Sequence, residues 1–108
     1  MRSEPAPVTL FDEVVLPAAE ADAWLDRWRA QYLPGARQRG LRLRGAWRGH
    51  TEDPEQAVVV IQWNLATIEA FFASRGQAGA DPGVADFWAT TDQVAISRNR
   101  RVLEDITP

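Results

Sequence analysis

The sequence predicts an α+β domain of the split βαβ, ferredoxin-like kind: a four-stranded antiparallel sheet with its helices on one face. Three observations predict it. The apolar residues change period from two to about 3.6 and back in the order strand, helix, strand, strand, helix, strand, with a second short helix before the last strand. Pro17, Pro34-Gly35, Gly40, Pro54 and Asp81-Pro82 punctuate those changes. Ala57–Trp63 (AVVVIQW) is apolar on both sides of its pleat, with Ala57, Val59, Ile61 and Trp63 on one face and Val58, Val60 and Gln62 on the other. Such a strand needs cover on both faces. The helices cover one, and a second copy packed sheet to sheet, as a symmetric homodimer through the open sheet face, covers the other.

Each element has its own signal. Met1–Pro7 reads as a flexible tail, and residues 8–108 as a single domain. Val8–Leu16 is rich in β-branched residues and closes at Pro17. Its alternation sets Thr9, Phe11, Glu13 and Val15 against Val8, Leu10, Asp12, Val14 and Leu16. From Ala18 to Leu33, Ala21, Trp24, Leu25, Trp28 and Tyr32 fall at helical spacing, and Pro34-Gly35 is expected to stop that helix. Leu41–Gly49 alternates again, with Leu41, Leu43, Gly45 and Trp47 opposite Arg42, Arg44, Ala46 and Arg48. After the strand Ala57–Trp63, Asn64 is expected to cap a helix carrying Leu65, Ile68, Phe71 and Phe72, with a break at Gly76–Ala80. Asp81-Pro82 opens a short helix with Val84, Phe87 and Trp88 inward, and Gln93–Ile106 reads as the last strand, anchored by Val94, Ile96, Val102 and Leu103.

Composition narrows the function classes. The chain has 108 residues, 45% apolar and 25% charged, which suffices for one hydrophobic core. It has no Cys, hence no disulfide framework, thiolate metal site or Cys nucleophile. All 12 basic residues are Arg, and the formal charge of -3 disfavours a nucleic-acid partner. No run is long enough to span a bilayer and MRSEPAPV lacks signal-peptide character, so no membrane partner and a cytoplasmic location are expected.

Few residues carry chemistry. His50 is the only His, placed where the second strand meets its loop, and has the pKa range of a general acid or base. With no second His or Cys beside it, no metal is expected. Asp12 and Glu13 point to opposite faces of their strand, so one of them is inward and needs a partner. Glu13, on the face of Phe11, is the acid/base candidate, and Arg44 is either its ion-pair partner or an anion stabiliser. Tyr32, Trp47, Trp63 and Trp88 form either the wall of a flat apolar pocket or a close-packed aromatic core.

The segments PGARQRGLRLRGAW (Pro34–Trp47), AVVVIQW, ADPGVADFW (Ala80–Trp88) and SRNRRVLEDITP together resemble the NIPSNAP branch of the dimeric α/β-barrel superfamily. The resemblance implies a ferredoxin-like dimer and no single reaction. Around Gln62-Trp63 the chain is also similar to the antibiotic biosynthesis monooxygenases, cofactor-independent enzymes that use a Trp and an Asn of this strand on aromatic polyketides. Trp63 matches their Trp, whereas Val59 stands at the Asn position. Phe71 stands where haem-binding relatives carry a His. Two functional readings follow. One is a small dimeric enzyme or binding protein for an aromatic or polycyclic metabolite, working without a cofactor by cyclisation, isomerisation or oxygenation in secondary metabolism. The other is a non-catalytic ligand-sensing or assembly module.

Overall fold

The computed structural model describes residues 7–108. The tail expected over Met1–Pro7 lies, Pro7 apart, outside the described residues. Strand β1 (Val8–Pro17) leads into a helical stretch containing α1 (Ala21–Arg27) and α2 (Leu33–Gln38). Then follow β2 (Arg42–Gly49), β3 (Gln56–Leu65), α3 (Ile68–Gly79), α4 (Pro82–Val94) and β4 (Ser97–Glu104). The four strands form one sheet in the order β2-β3-β1-β4, with every neighbouring pair antiparallel. With β1 beside β3 at the centre and both helical connections on one face, this is the expected split βαβ, ferredoxin-like topology.

Alternation decides which face packs. On β1 the buried residues are Val8, Leu10, Asp12, Val14 and Leu16, set opposite Leu65, Trp63, Ile61, Val59 and Ala57 of β3. Trp24, Trp28, Tyr32, Ala36, Phe71 and Phe87 of the helical segments join the same core. The second face carries Phe11, Val15, Val58, Val60 and Gln62, all half-buried, and the exposed Glu13. Along its thinnest axis the molecule spans only 17 Å between Cα atoms, the depth of one sheet and one helical layer.

The register of β2 slips between Leu43 and Gly45, where Arg44 forms a bulge. One extra residue reverses the parity of everything beyond it. Leu43 pairs with Trp63 on the helix side, but Trp47 pairs with Val60 on the open side. The expectation that Leu41, Leu43, Gly45 and Trp47 share one face is therefore corrected by the bulge. Gly45 has a steric role here, because a Cβ on it would stand 2.5 Å from the Trp47 ring.

The helix boundaries differ from expectation for local reasons. Pro34-Gly35 does not end the first helical stretch. Between α1 and α2 the turn Trp28–Tyr32 widens to π geometry, and the Leu33 N–H bonds to the Trp28 carbonyl. Pro34 then enters in the first turn of α2, where its missing N–H costs little. The stop is Gly40, at φ 95°. Leu41 N–H donates to Ala36 O and Gly40 N–H to Arg37 O, both at 3.1 Å, which is a Schellman closure. Asn64 belongs to β3, and Thr67 is the cap of α3, its side chain accepting from Ala70 N–H at 3.0 Å. No break interrupts α3 at Gly76. The cap of α4 is Asp81, as expected. That helix extends through Val94, so the last strand starts at Ser97 rather than Gln93. A buried lock holds α4 in place: Trp24 Nε1 donates to Thr91 Oγ1, which donates to Phe87 O, both at 2.9 Å.

Two glycine substitutions check these boundaries with opposite signs. Gly76 sits inside α3 with open space around it, so Gly76→Ala should stabilise the protein by about 0.5–1 kcal/mol in urea unfolding. Gly40→Ala forces a side chain into the left-handed region and should cost about 1–2 kcal/mol. Equal effects of the two would contradict the helix ends described here.

Candidate functional site

The inward carboxylate of β1 is Asp12. It lies on the helix side, 3% exposed, in the row of Val8, Leu10, Val14 and Leu16. A bare carboxylate there would be costly, and the fold supplies three donors. Arg100 of β4, directly opposite Asp12 in the β1–β4 register, donates Nε at 2.6 Å and Nη2 at 2.9 Å. Trp63 Nε1 donates from β3 at 3.0 Å. Arg100 Nη2 also donates to the Tyr32 hydroxyl at 3.0 Å. Burial pulls the Arg100 pKa down, but hydrogen bonds and attraction from Asp12, with Tyr32 adding, raise it above the ordinary arginine range. The guanidinium is therefore charged at every ordinary pH.

Aromatic rings surround this group. Tyr32 stacks on Phe87 at 5.2 Å and meets Trp88 edge-on at 5.3 Å. Arg98 and Arg100, two residues apart on the helix side of β4, lie over the Trp88 ring at 4.8 and 5.8 Å. Arg98 is also paired with Asp92 at 2.6 Å, and its hydrogen bond holds the Asp92 carboxyl below its usual range. Arg100 borders three openings. A small cleft of about 80 Å³ lies between Trp88 and Asp12. A groove of about 480 Å³ lies between α3 and β4, and a pocket of about 40 Å³ reaches inward to Tyr32 and Leu41.

The structure brings some of the candidate residues together and separates others. Tyr32, Trp63 and Trp88 converge beside Arg100, with Tyr32 touching both indoles. Trp47 is on the opposite face of the sheet, 49% exposed. Trp63 is fully enclosed and its N–H is spent on Asp12, so it is a wall of the core. Glu13 is exposed on the open face. His50 is exposed beyond the end of β2, beside a separate groove shared with Arg48, Thr51 and Asp53. Arg44 is exposed in the bulge, in a third groove with Asp105. Within the chain Glu13, His50 and Arg44 thus form no common site. The expected ion pair Glu13–Arg44 gives way to Asp12–Arg100.

Arg98 and Arg100 are site residues that the sequence alone does not single out, and Asp12 rather than Glu13 is the inward carboxylate. A signal for Asp12 was present, since it is the one polar member of an otherwise apolar alternating row. Arg100 had none, because the register of the last strand was needed to set it opposite Asp12.

No protein-family model and no curated protein matches the sequence. Solved structures do match. An uncharacterized NIPSNAP domain protein from Burkholderia xenovorans superposes at TM-score 0.75 with 19% identity, covering 94% of this chain and 98% of that one. A NIPSNAP family protein of unknown function from Agrobacterium tumefaciens gives TM-score 0.75 at 12% identity, over 99% of this chain and 96% of that one. A putative antibiotic biosynthesis monooxygenase from Nitrosomonas europaea gives TM-score 0.68 at 11% identity, over 100% and 98%. The chain is thus an α+β protein with a ferredoxin-like fold. Within that class its fold is NIPSNAP-like, and at these identities the likeness is one of fold. Among the described residues no helix is long and apolar enough to cross a membrane.

Proposed function

We propose that the protein is a homodimer that binds a small aromatic molecule on the helix side of its sheet, around Arg100, without a bound cofactor. The observation that carries this reading is the anchored guanidinium. Asp12 and Tyr32 hold Nε and Nη2, and Nη1 has no partner among the described residues. Trp88, Phe71 and Phe72 line the openings that Arg100 borders. A fixed cation beside flat apolar walls recognises and orients a ligand, and it is no base.

Between an enzyme acting on an aromatic metabolite and a protein that only binds one, the geometry favours binding. Glu13, His50 and Arg44 stand apart, and Asp12 is occupied by three hydrogen bonds from Arg100 and Trp63. An oxygenase role for Trp63 would need an exposed indole, and this one is sealed.

Homodimerisation is supported by the second sheet face. Phe11, Val15, Val58 and Val60 form its apolar centre, with Trp47 and Leu103 at 49% and 42% exposure beside them. Glu13 and Arg101 share the face, so a two-fold arrangement can pair opposite charges about an apolar middle. Sedimentation should show a dimer at micromolar concentration, and Val60→Glu should give a folded monomer. A wild-type monomer at high concentration would overturn this assembly. For the ligand, a panel of neutral, anionic and cationic aromatic compounds should include members that change tryptophan emission saturably, a response lost in Trp88→Phe. A panel with no effect would overturn the binding reading.

A further inference from the structure

The helical stripe of α3 runs Ile68, Phe71, Phe72, Arg75, at positions i, i+3, i+4 and i+7. Its apolar part is only partly used in the core, for Phe71 is buried while Phe72 is 57% exposed. Across from this stripe, the edge strand β4 presents Arg100 and then Val102, which is 37% exposed. Between them lies the groove of about 480 Å³, lined by those four α3 residues with Arg100 and Val102. That is within the roughly 300–1,000 Å³ of small-molecule sites. No Asp or Glu is in its lining. Arg75 makes no hydrogen bond or ion pair among the described residues, and it also borders the small pocket leading toward Tyr32.

We infer that this groove is a site for a small amphipathic carboxylate, its acid group held by Arg75 with Arg100 and its apolar body lying against Phe71, Phe72 and Val102. The inference rests on the binding reading above and names the ligand class. Charge sets that class. Arg100 is neutralised by Asp12, so the groove has the net charge of Arg75 alone and matches a monoanion. A dianionic phosphate would overcompensate it, and a neutral aromatic would leave Arg75 unused. The guanidinium fork suits a planar carboxylate.

The probes are 2-naphthoate and its neutral counterpart 2-naphthamide, titrated calorimetrically into the full chain. Naphthoate should bind at least tenfold tighter than the amide, and added salt should shrink that preference. Arg75→Gln, an exposed change outside the buried pair, should keep the wild-type Tm and abolish the preference. Phe72→Ala should weaken both probes several-fold. Equal binding of the two probes, or a preference that survives Arg75→Gln, would overturn the assignment. If neither probe binds while other aromatics still alter Trp88 emission, the carboxylate class is overturned and the binding reading stands; if the whole panel is silent, both fall. Naphthoate affinity that falls as protein concentration rises would assign the groove to a second copy and likewise overturn the proposal.

Discussion

Asp12 is the third of five helix-facing residues on the central strand, and the other four are Val8, Leu10, Val14 and Leu16. A carboxylate at that depth is tolerated only with charge compensation and satisfied lone pairs. The sheet register provides both, since β4 sets Arg100 opposite it and β3 brings the Trp63 N–H within 3.0 Å. The consequences reach beyond the pair. Arg100 is drawn over the helix side of β4, where it meets Tyr32 and Trp88. The π turn that carries Tyr32 and the lock between Trp24 and Thr91 hold the helical layer around that point.

The same interaction separates binding from chemistry. The Asp12 carboxylate has its hydrogen bonds committed to an arginine and an indole inside the core, and an arginine of raised pKa is a poor proton donor. What remains is a fixed cation with apolar surroundings, which suits recognition of an anionic or aromatic ligand. On the opposite face the bulge at Arg44 sends Trp47 outward to lie over Gly45 beside Val60. One extra residue in β2 therefore moves a tryptophan from the helix side of the sheet to the side proposed for dimerisation.

Much of the fold was legible because alternation and punctuation are local. The order of elements, the two-sided strand β3 and the Asp81 cap follow from neighbouring residues alone. Helix ends were harder. Pro34 looked like a stop, but a single π turn lets the helix absorb it, and Gly76 looked like a break although an exposed helix tolerates a glycine at about 1 kcal/mol. The site was less legible for a different reason. The aromatic set Tyr32, Trp47, Trp63 and Trp88 is visible in the sequence, but only the fold shows that Tyr32 meets Trp63 and Trp88, and that a bulge no local signal marks turns Trp47 to the other face. Asp12 and Glu13 are adjacent, and only the apolar row Val8, Leu10, Val14 and Leu16 marks Asp12 as the inward member.

Asp12 and Arg100 act as one unit, and a double-mutant cycle measures that coupling. Arg100→Met alone leaves a buried carboxylate with the Trp63 N–H as its remaining donor and should cost about 3–5 kcal/mol in urea unfolding. Combined with Asp12→Asn, it should cost much less than the sum of the two single changes, with a coupling of roughly 2–3 kcal/mol. Additive effects, or an Arg100→Met variant as stable as the wild type, would show that the two residues are not coupled.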